Sequence, residues 1–290
     1  MDAEEADMPA ATLPDGTVNY RDLGDPAAPA VVFVHGVLVD GRLWEGVAER
    51  VAAAGLRAVV PDWPLGAHRE PMPAGADLTP AGVARMVLAF LEALDLRDAC
   101  LVGNDTGGAV VQMALASGDA GRASRAVFTN CDTFDRFPPP PFDLMFRLAR
   151  LPGAVRLMFG LARIGPLGRI GYRPLVAGPL DRDLARSWLE PGATDARIRA
   201  DVRRFLRSVD PAELVAASER LDRFDGEVLV AWAPEDRFFR IADGRRLAGR
   251  FRASRVVEIP GSRTFVALDQ PERLASEIAA FCGVRTATRP

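Results

Sequence analysis

Asp105 stands in the run Gly103-Asn104-Asp105-Thr106-Gly107-Gly108, between an apolar stretch that reads as a strand and one that reads as a helix. A turn this tight, flanked by glycines, lifts one side chain clear of a sheet edge. A carboxylate presented in that way attacks saturated carbon and leaves an alkyl ester, which water must then hydrolyse. Gly103 and Gly107 are the expected structural residues of the bend, since a β-carbon would clash there. The backbone N–H groups of Thr106, directly after the aspartate, and of Val37, directly after His35-Gly36, are the expected donors of an oxyanion hole.

Hydrolysing such an ester calls for a base, and the chain holds two histidines. His35 belongs to the loop with Gly36 and reads as structural. His68 follows Pro61-Asp62-Trp63-Pro64-Leu65-Gly66-Ala67, on a loop leaving the C-terminal end of a predicted strand. Its readings are a displaced base or substrate ligand, and an imidazole that fixes its own loop. Two further acids follow predicted strands: Asp236 in Trp232-Ala233-Pro234-Glu235-Asp236, and Asp132 in Asn130-Cys131-Asp132. If Asp105 shares a dry pocket with a second carboxylate, one pKa rises and that group can serve as an acid.

The elements that must position these groups alternate along the chain. Ala30–Val34 is a continuous β-branched and aromatic run, expected of a strand buried on both faces. Residues 56–60, 100–102, 125–130, 228–232 and 254–259 read as further strands. Helical spacing covers 41–54, 80–94, 107–117 and 271–281, with Thr79-Pro80 a cap and first-turn proline. Strands alternating with helices imply a mostly parallel sheet. Residues 134–224 break the rhythm after Pro138-Pro139-Pro140-Pro141 and read as an all-helical lid over the strands' C-terminal ends, where such sheets bind ligands. The expected division is a core of 17–133 and 225–282, a lid of 134–224, and flexible termini at 1–16 and 283–290.

Composition narrows the partners. The chain has 290 residues, 49% of them apolar, enough for a sizeable core. A net charge of −3 gives no reason to expect nucleic acid or an anionic membrane. Every basic residue is arginine. Cys100, Cys131 and Cys282 have unrelated spacings that suggest neither disulfides nor a metal site. With an acidic N-terminus in place of a signal peptide, a reducing cytoplasm is expected. The apolar stretch from Leu151 to Tyr172 is broken by Arg156, Arg163 and Arg169, so it falls short of the ~20 residues a membrane span needs.

Taken in order, Val34-His35-Gly36, Pro61-Asp62 with Gly66, the turn at Asp105, the helical insertion, Pro234-Glu235-Asp236 and Pro260-Gly261 resemble the α/β-hydrolase superfamily over about residues 17–282. The resemblance implies an α/β-hydrolase fold, with helices on both faces of the sheet. An aspartate in the nucleophile position is similar to haloalkane dehalogenases and epoxide hydrolases. In that pattern Asp236 is the acid that orients a histidine, and Thr264, in Arg263-Thr264-Phe265, stands where the histidine is missing. Asp132 holds the acid position that some dehalogenases use instead. Thr106 and Val37 replace the halide-binding residues of the dehalogenases, and Tyr172 is the single lid tyrosine where epoxide hydrolases use two. The segments around His68, Asp105, Asp132 and Thr264 also resemble actinobacterial members of the superfamily that lack the catalytic histidine.

The implied function is an enzyme acting on a small, apolar organic molecule through Asp105. Two alternatives stand beside it: a non-hydrolytic lyase, isomerase or cyclase in which Asp105 moves a proton, and a catalytically silent binder. No cofactor and no metal are expected. The expected partner is a small molecule, with no nucleic acid and no membrane; a homo-oligomer remains open.

Overall fold

The computed structural model describes residues 8–163 and 167–283. Its strands are β1 (Ala10–Leu13), β2 (Gly16–Leu23), β3 (Ala30–Val34), β4 (Arg57–Pro61), β5 (Ala99–Asp105), β6 (Ala123–Cys131), β7 (Glu227–Trp232) and β8 (Ser254–Glu258). They form one sheet in the order β1-β2-β4-β3-β5-β6-β7-β8. The pairs β1–β2 and β2–β4 are antiparallel; every pair from β4 to β8 is parallel. All five residues of β3 are buried, as its unbroken apolar run requires of a strand covered on both faces.

The helices are α1 (Glu45–Ala53), α2 (Pro80–Ala93), α3 (Thr106–Ala116), α4 (Phe142–Leu148), α5 (Ala154–Ala162), α6 (Leu167–Ile170), α7 (Arg182–Thr194), α8 (Ala196–Ser208), α9 (Pro211–Ser218), α10 (Ile241–Ala248), α11 (Val266–Asp269) and α12 (Pro271–Phe281). α1 packs on α12, and α2 packs on α3. Thr79 caps α2 by accepting from the Gly82 N–H at 3.0 Å, with Pro80 as the first helical residue. Between β6 and β7 the described residues form α4 to α9, short 3-10 turns and one isolated β-bridge between Thr133 and Arg136.

Two boundaries need correcting. Residues 1–16 were expected to be a flexible terminus, but Ala10–Leu13 is strand β1, paired residue for residue with Gly16–Asn19. Ala11 and Leu13 alternate inward from it, and burying two apolar side chains holds the strand down. Residues 1–7 and 284–290 lie outside the described residues. The helix expected from Gly41 begins instead as a 3-10 turn, Gly41–Trp44, because Asp40 folds back to accept from the Arg42 N–H. No helix among the described residues is long and apolar enough to cross a membrane.

Candidate active site

β5 ends on Asp105, and α3 begins on the next residue. Asp105 has φ 52° and ψ −132°, a left-handed conformation that a non-glycine residue adopts only under constraint. The constraint comes from its neighbours. A β-carbon on Gly103 would lie 2.8 Å from the Gly108 α-carbon, and one on Gly107 would strike the Val34 carbonyl oxygen. One on Gly36 would strike the Asp105 carboxylate itself. Gly103 and Gly107 do not themselves adopt positive φ. These glycines serve close approach, while the aspartate carries the strained dihedral.

Asp105 opens onto a cavity of about 370 Å3. The sheet side of its wall is Val37, Leu38, Asp105, Thr106 and Asp132. The insertion supplies the rest, including Phe142, Met145, Phe146, Met158 and Tyr172. Phe159 and Trp188 of the same insertion are buried in helix packing and do not line it. Both expected oxyanion-hole residues, Val37 and Thr106, are in the wall.

The carboxyl groups at this site are hard to ionise. Burial pushes the Asp105 pKa up to about 7; the Thr106 N–H pulls the other way, and the charge on Asp236 adds to the rise. Asp132 is 1% exposed, and neither of its oxygens has a partner in hydrogen-bonding geometry. Burial, then the charge of Asp105, pushes its pKa well above the carboxylate range, and the nearby Thr106 hydroxyl offsets little of this. A buried carboxylate without a partner is far costlier than the neutral acid, so burial favours the protonated form of Asp132.

Asp236 and Thr264 stand behind this wall. The Thr264 hydroxyl donates to Asp236 Oδ2 at 2.9 Å, and the Phe238 N–H donates to Asp236 Oδ1 at 2.8 Å. Burial nevertheless leaves the Asp236 pKa raised. Thr264 is fully buried, and neither residue lines the cavity. The acid therefore keeps a partner at the position where the resemblance puts an imidazole, and that partner is a hydroxyl.

The histidines are committed elsewhere. His35 donates through Nδ1 to the Gly36 carbonyl at 2.9 Å and accepts the Trp63 N–H on Nε2 at 2.9 Å, which fixes one tautomer. Burial lowers its pKa to about 4. His68 accepts the Gly66 N–H on Nδ1 at 3.2 Å and pairs through Nε2 with Asp201 Oδ2 of α8, also at 3.2 Å. It does not line the cavity, so of its two readings this geometry favours the loop-fixing one.

Several supporting residues escaped sequence reasoning. The Asn104 amide donates to Thr129 Oγ1 at 2.9 Å, to the Asn130 carbonyl at 3.0 Å and to the Thr264 carbonyl at 2.7 Å, tying the bend to β6 and to the Thr264 loop. Asn130 accepts the Ala233 N–H at 2.7 Å and so holds the loop that carries Asp236. Asp40 accepts from Trp188 Nε1 at 3.0 Å, and the Tyr172 hydroxyl donates to the Leu38 carbonyl at 2.5 Å. These two bonds pin the Val37 loop to the insertion. The only local signal was the adjacency of Asn104 to Asp105 and of Asn130 to Cys131-Asp132.

Comparison with known proteins adds the wider context. The alpha/beta hydrolase fold matches residues 29–271. An epoxide hydrolase from Caballeronia sordidicola is 39% identical over 82 residues, 28% of this chain and 25% of that protein. A non-heme chloroperoxidase from Kitasatospora aureofaciens is 26% identical over 250 residues, 83% of this chain and 86% of that protein. The crystal structure of a haloalkane dehalogenase from Bradyrhizobium elkani superposes with a TM-score of 0.78 at 18% identity, covering 95% of this chain and 97% of that one. That last likeness is one of fold. The match to the epoxide hydrolase spans about a quarter of that protein's length.

Proposed function

The chain belongs to the alpha/beta hydrolase fold family, and from that premise we propose that it is an enzyme whose lid cavity binds a small, apolar organic electrophile. Asp105 is the attacking carboxylate in this reading, and Asp132 is the acid beside it. The observation that carries it is that Asp105 and Asp132 both line one apolar cavity, whereas Asp236, Thr264 and His68 do not.

The chemistry follows from the two protonation states. Ionised Asp105 attacks a saturated carbon; the new carbon–oxygen bond forms as the bond to the leaving atom breaks. Neutral Asp132 gives its proton to that leaving atom. A departing alkoxide oxygen needs this proton, whereas a halide leaves without one. The pair therefore suits an epoxide or similar oxygen electrophile better than an alkyl halide, in line with the matching stretch of the epoxide hydrolase. After the transfer Asp132 is a carboxylate of raised pKa, a stronger base than an ordinary carboxylate. Water then adds to the ester carbonyl, Asp132 takes its proton, the Val37 and Thr106 N–H groups hold the oxyanion, and the alcohol leaves as Asp105 is regenerated.

A second reading rests on the absence of a histidine from the cavity wall. Asp105 then takes a proton from the substrate and Asp132 returns one, giving isomerisation or elimination without an ester.

The test is a single turnover of small apolar epoxides, with enzyme in excess, in 18O-labelled water. Attack by Asp105 puts unlabelled carboxylate oxygen into the first diol and gives an ester adduct on Asp105 by intact-mass spectrometry. Diol carrying label from water in the first turnover would sink the nucleophilic reading. Rearranged product with no adduct would establish the proton-transfer reading. Ligand-induced thermal stabilisation with neither product nor adduct would leave a binding protein.

A further inference from the structure

Among the described residues, the large apolar side chains left open to solvent are concentrated in one place. Six of them, Leu144, Leu148, Leu151, Leu157, Leu161 and Ile170, belong to α4, α5, α6 and the α4–α5 turn; the only other is Val256. Leu144 and Leu148 lie one helical turn apart on α4, as do Leu157 and Leu161 on α5, so each pair shares a helix face. Leu157 is 63% and Ile170 61% exposed, at a net cost that folding alone does not explain.

The same segment has a charge of its own. From Leu144 to Leu180 the chain carries six arginines and no aspartate or glutamate, within a protein of net charge −3. Arg150 and Arg156 are exposed and form no ion pair among the described residues. Exposed leucines interspersed with arginines, whose long stems lie along apolar surface while the guanidinium reaches outward, are the pattern of a protein face that rests on lipid.

We propose that the α4–α6 face docks on an anionic lipid surface. The membrane was not expected as a partner because acids elsewhere in the chain outweigh this local positive charge. Two observations select lipid over a second copy of the chain. Symmetric self-association through this face would set the exposed Arg150, Arg156 and Arg163 of one copy against the same three of the other, whereas anionic headgroups complement them. In addition, Leu161 and Ile170 are both exposed and part of the cavity wall, so the apolar face runs directly into the cavity. An apolar molecule dissolved in the lipid would reach Asp105 by that route without crossing bulk water.

The test is flotation of the full-length protein with vesicles of phosphatidylcholine alone and of phosphatidylcholine mixed with phosphatidylglycerol. The expected result is binding to the mixed vesicles that weakens with added salt, and little binding to the neutral ones. The triple variant Leu144→Ser, Leu148→Ser, Leu157→Ser should lose about tenfold or more of this affinity while keeping the wild-type melting temperature, since all three side chains are exposed. The double variant Arg150→Gln, Arg156→Gln should lose the preference for phosphatidylglycerol. Wild-type protein that binds neither vesicle would overturn the proposal, as would a triple variant that binds like wild type. A wild-type dimer in solution that the leucine variant converts to monomer would assign the face to a second copy instead.

Discussion

An aspartate with a pKa near 7 is half ionised at neutral pH, so its protonation couples activity to stability. In the unfolded chain the same carboxyl ionises near pH ~4. Between about pH 4 and 7 the native state therefore holds a proton that the unfolded state has lost, and stability falls as pH rises through that window. Asp105→Asn removes this dependence. The variant should be more stable than wild type by about 2–4 kcal/mol at pH 8 and equal to it at pH 4, read from denaturant unfolding at the two values. The opposite dependence comes from His35, whose folded pKa is lowered to about 4. Its contribution is complete above the unfolded value of ~6.5 and is lost as pH falls toward 4. The two slopes oppose each other over nearly the same window. Stability of the Asp105→Asn protein should accordingly fall more steeply on acidification than that of wild type.

Thr264 makes the second prediction at this scale. Its hydroxyl already occupies the hydrogen-bond position on Asp236. A histidine there would gain an orienting carboxylate and could activate water toward an ester on Asp105. Thr264→His should shorten the lifetime of the Asp105 adduct by about a hundredfold, measured by mass spectrometry after a chase. An unchanged lifetime would mean that the buried position gives water no access.

At the scale of elements, the loop after β4 and helix α8 are joined through one carboxylate. Asp201 accepts from His68 Nε2 at 3.2 Å, the Met72 N–H at 2.9 Å and Arg204 Nη2 at 2.6 Å. Burial raises its pKa, but these partners outweigh that and leave it lowered. Asp201→Asn should cost about 2–3 kcal/mol in denaturant unfolding, because the charge on Arg204 and the imidazole lose their common acceptor. Proteolysis within the insertion should also speed up, since the bond anchors it to the core. Gly107→Ala should be more damaging, by about 3 kcal/mol or more, because its β-carbon meets backbone that cannot move aside.

What was legible in the sequence follows the same divide. β3 and the bend at Asp105 could be read because the signals are local: an unbroken apolar run, and glycines two residues to either side of one acid. Strand β1 was not legible, since four residues with two small alanines carry little pattern until β2 pairs with them. The roles of Asn104, Asp40 and Asp201 were hidden because their partners lie 160, 148 and 133 positions away. The same distance left the two readings of His68 open. Its place on the correct side of the sheet was visible, but not the α8 carboxylate that occupies its ring.

For the whole molecule, one number for charge concealed an uneven distribution, and one sheet conceals two unlike rims. The β1 rim is four residues long. The β8 rim is five, largely exposed and charged: Arg255 lies 3.9 Å from Glu277, and Glu258 accepts from Arg245 at 2.6 Å. A very short strand such as β1, and a short strand carrying charged side chains such as β8, are poor templates for adding another chain edge to edge. Copies of this protein are therefore discouraged from extending the sheet at either end. The geometry that ends the sheet thus works against growth into stacked fibrous assemblies.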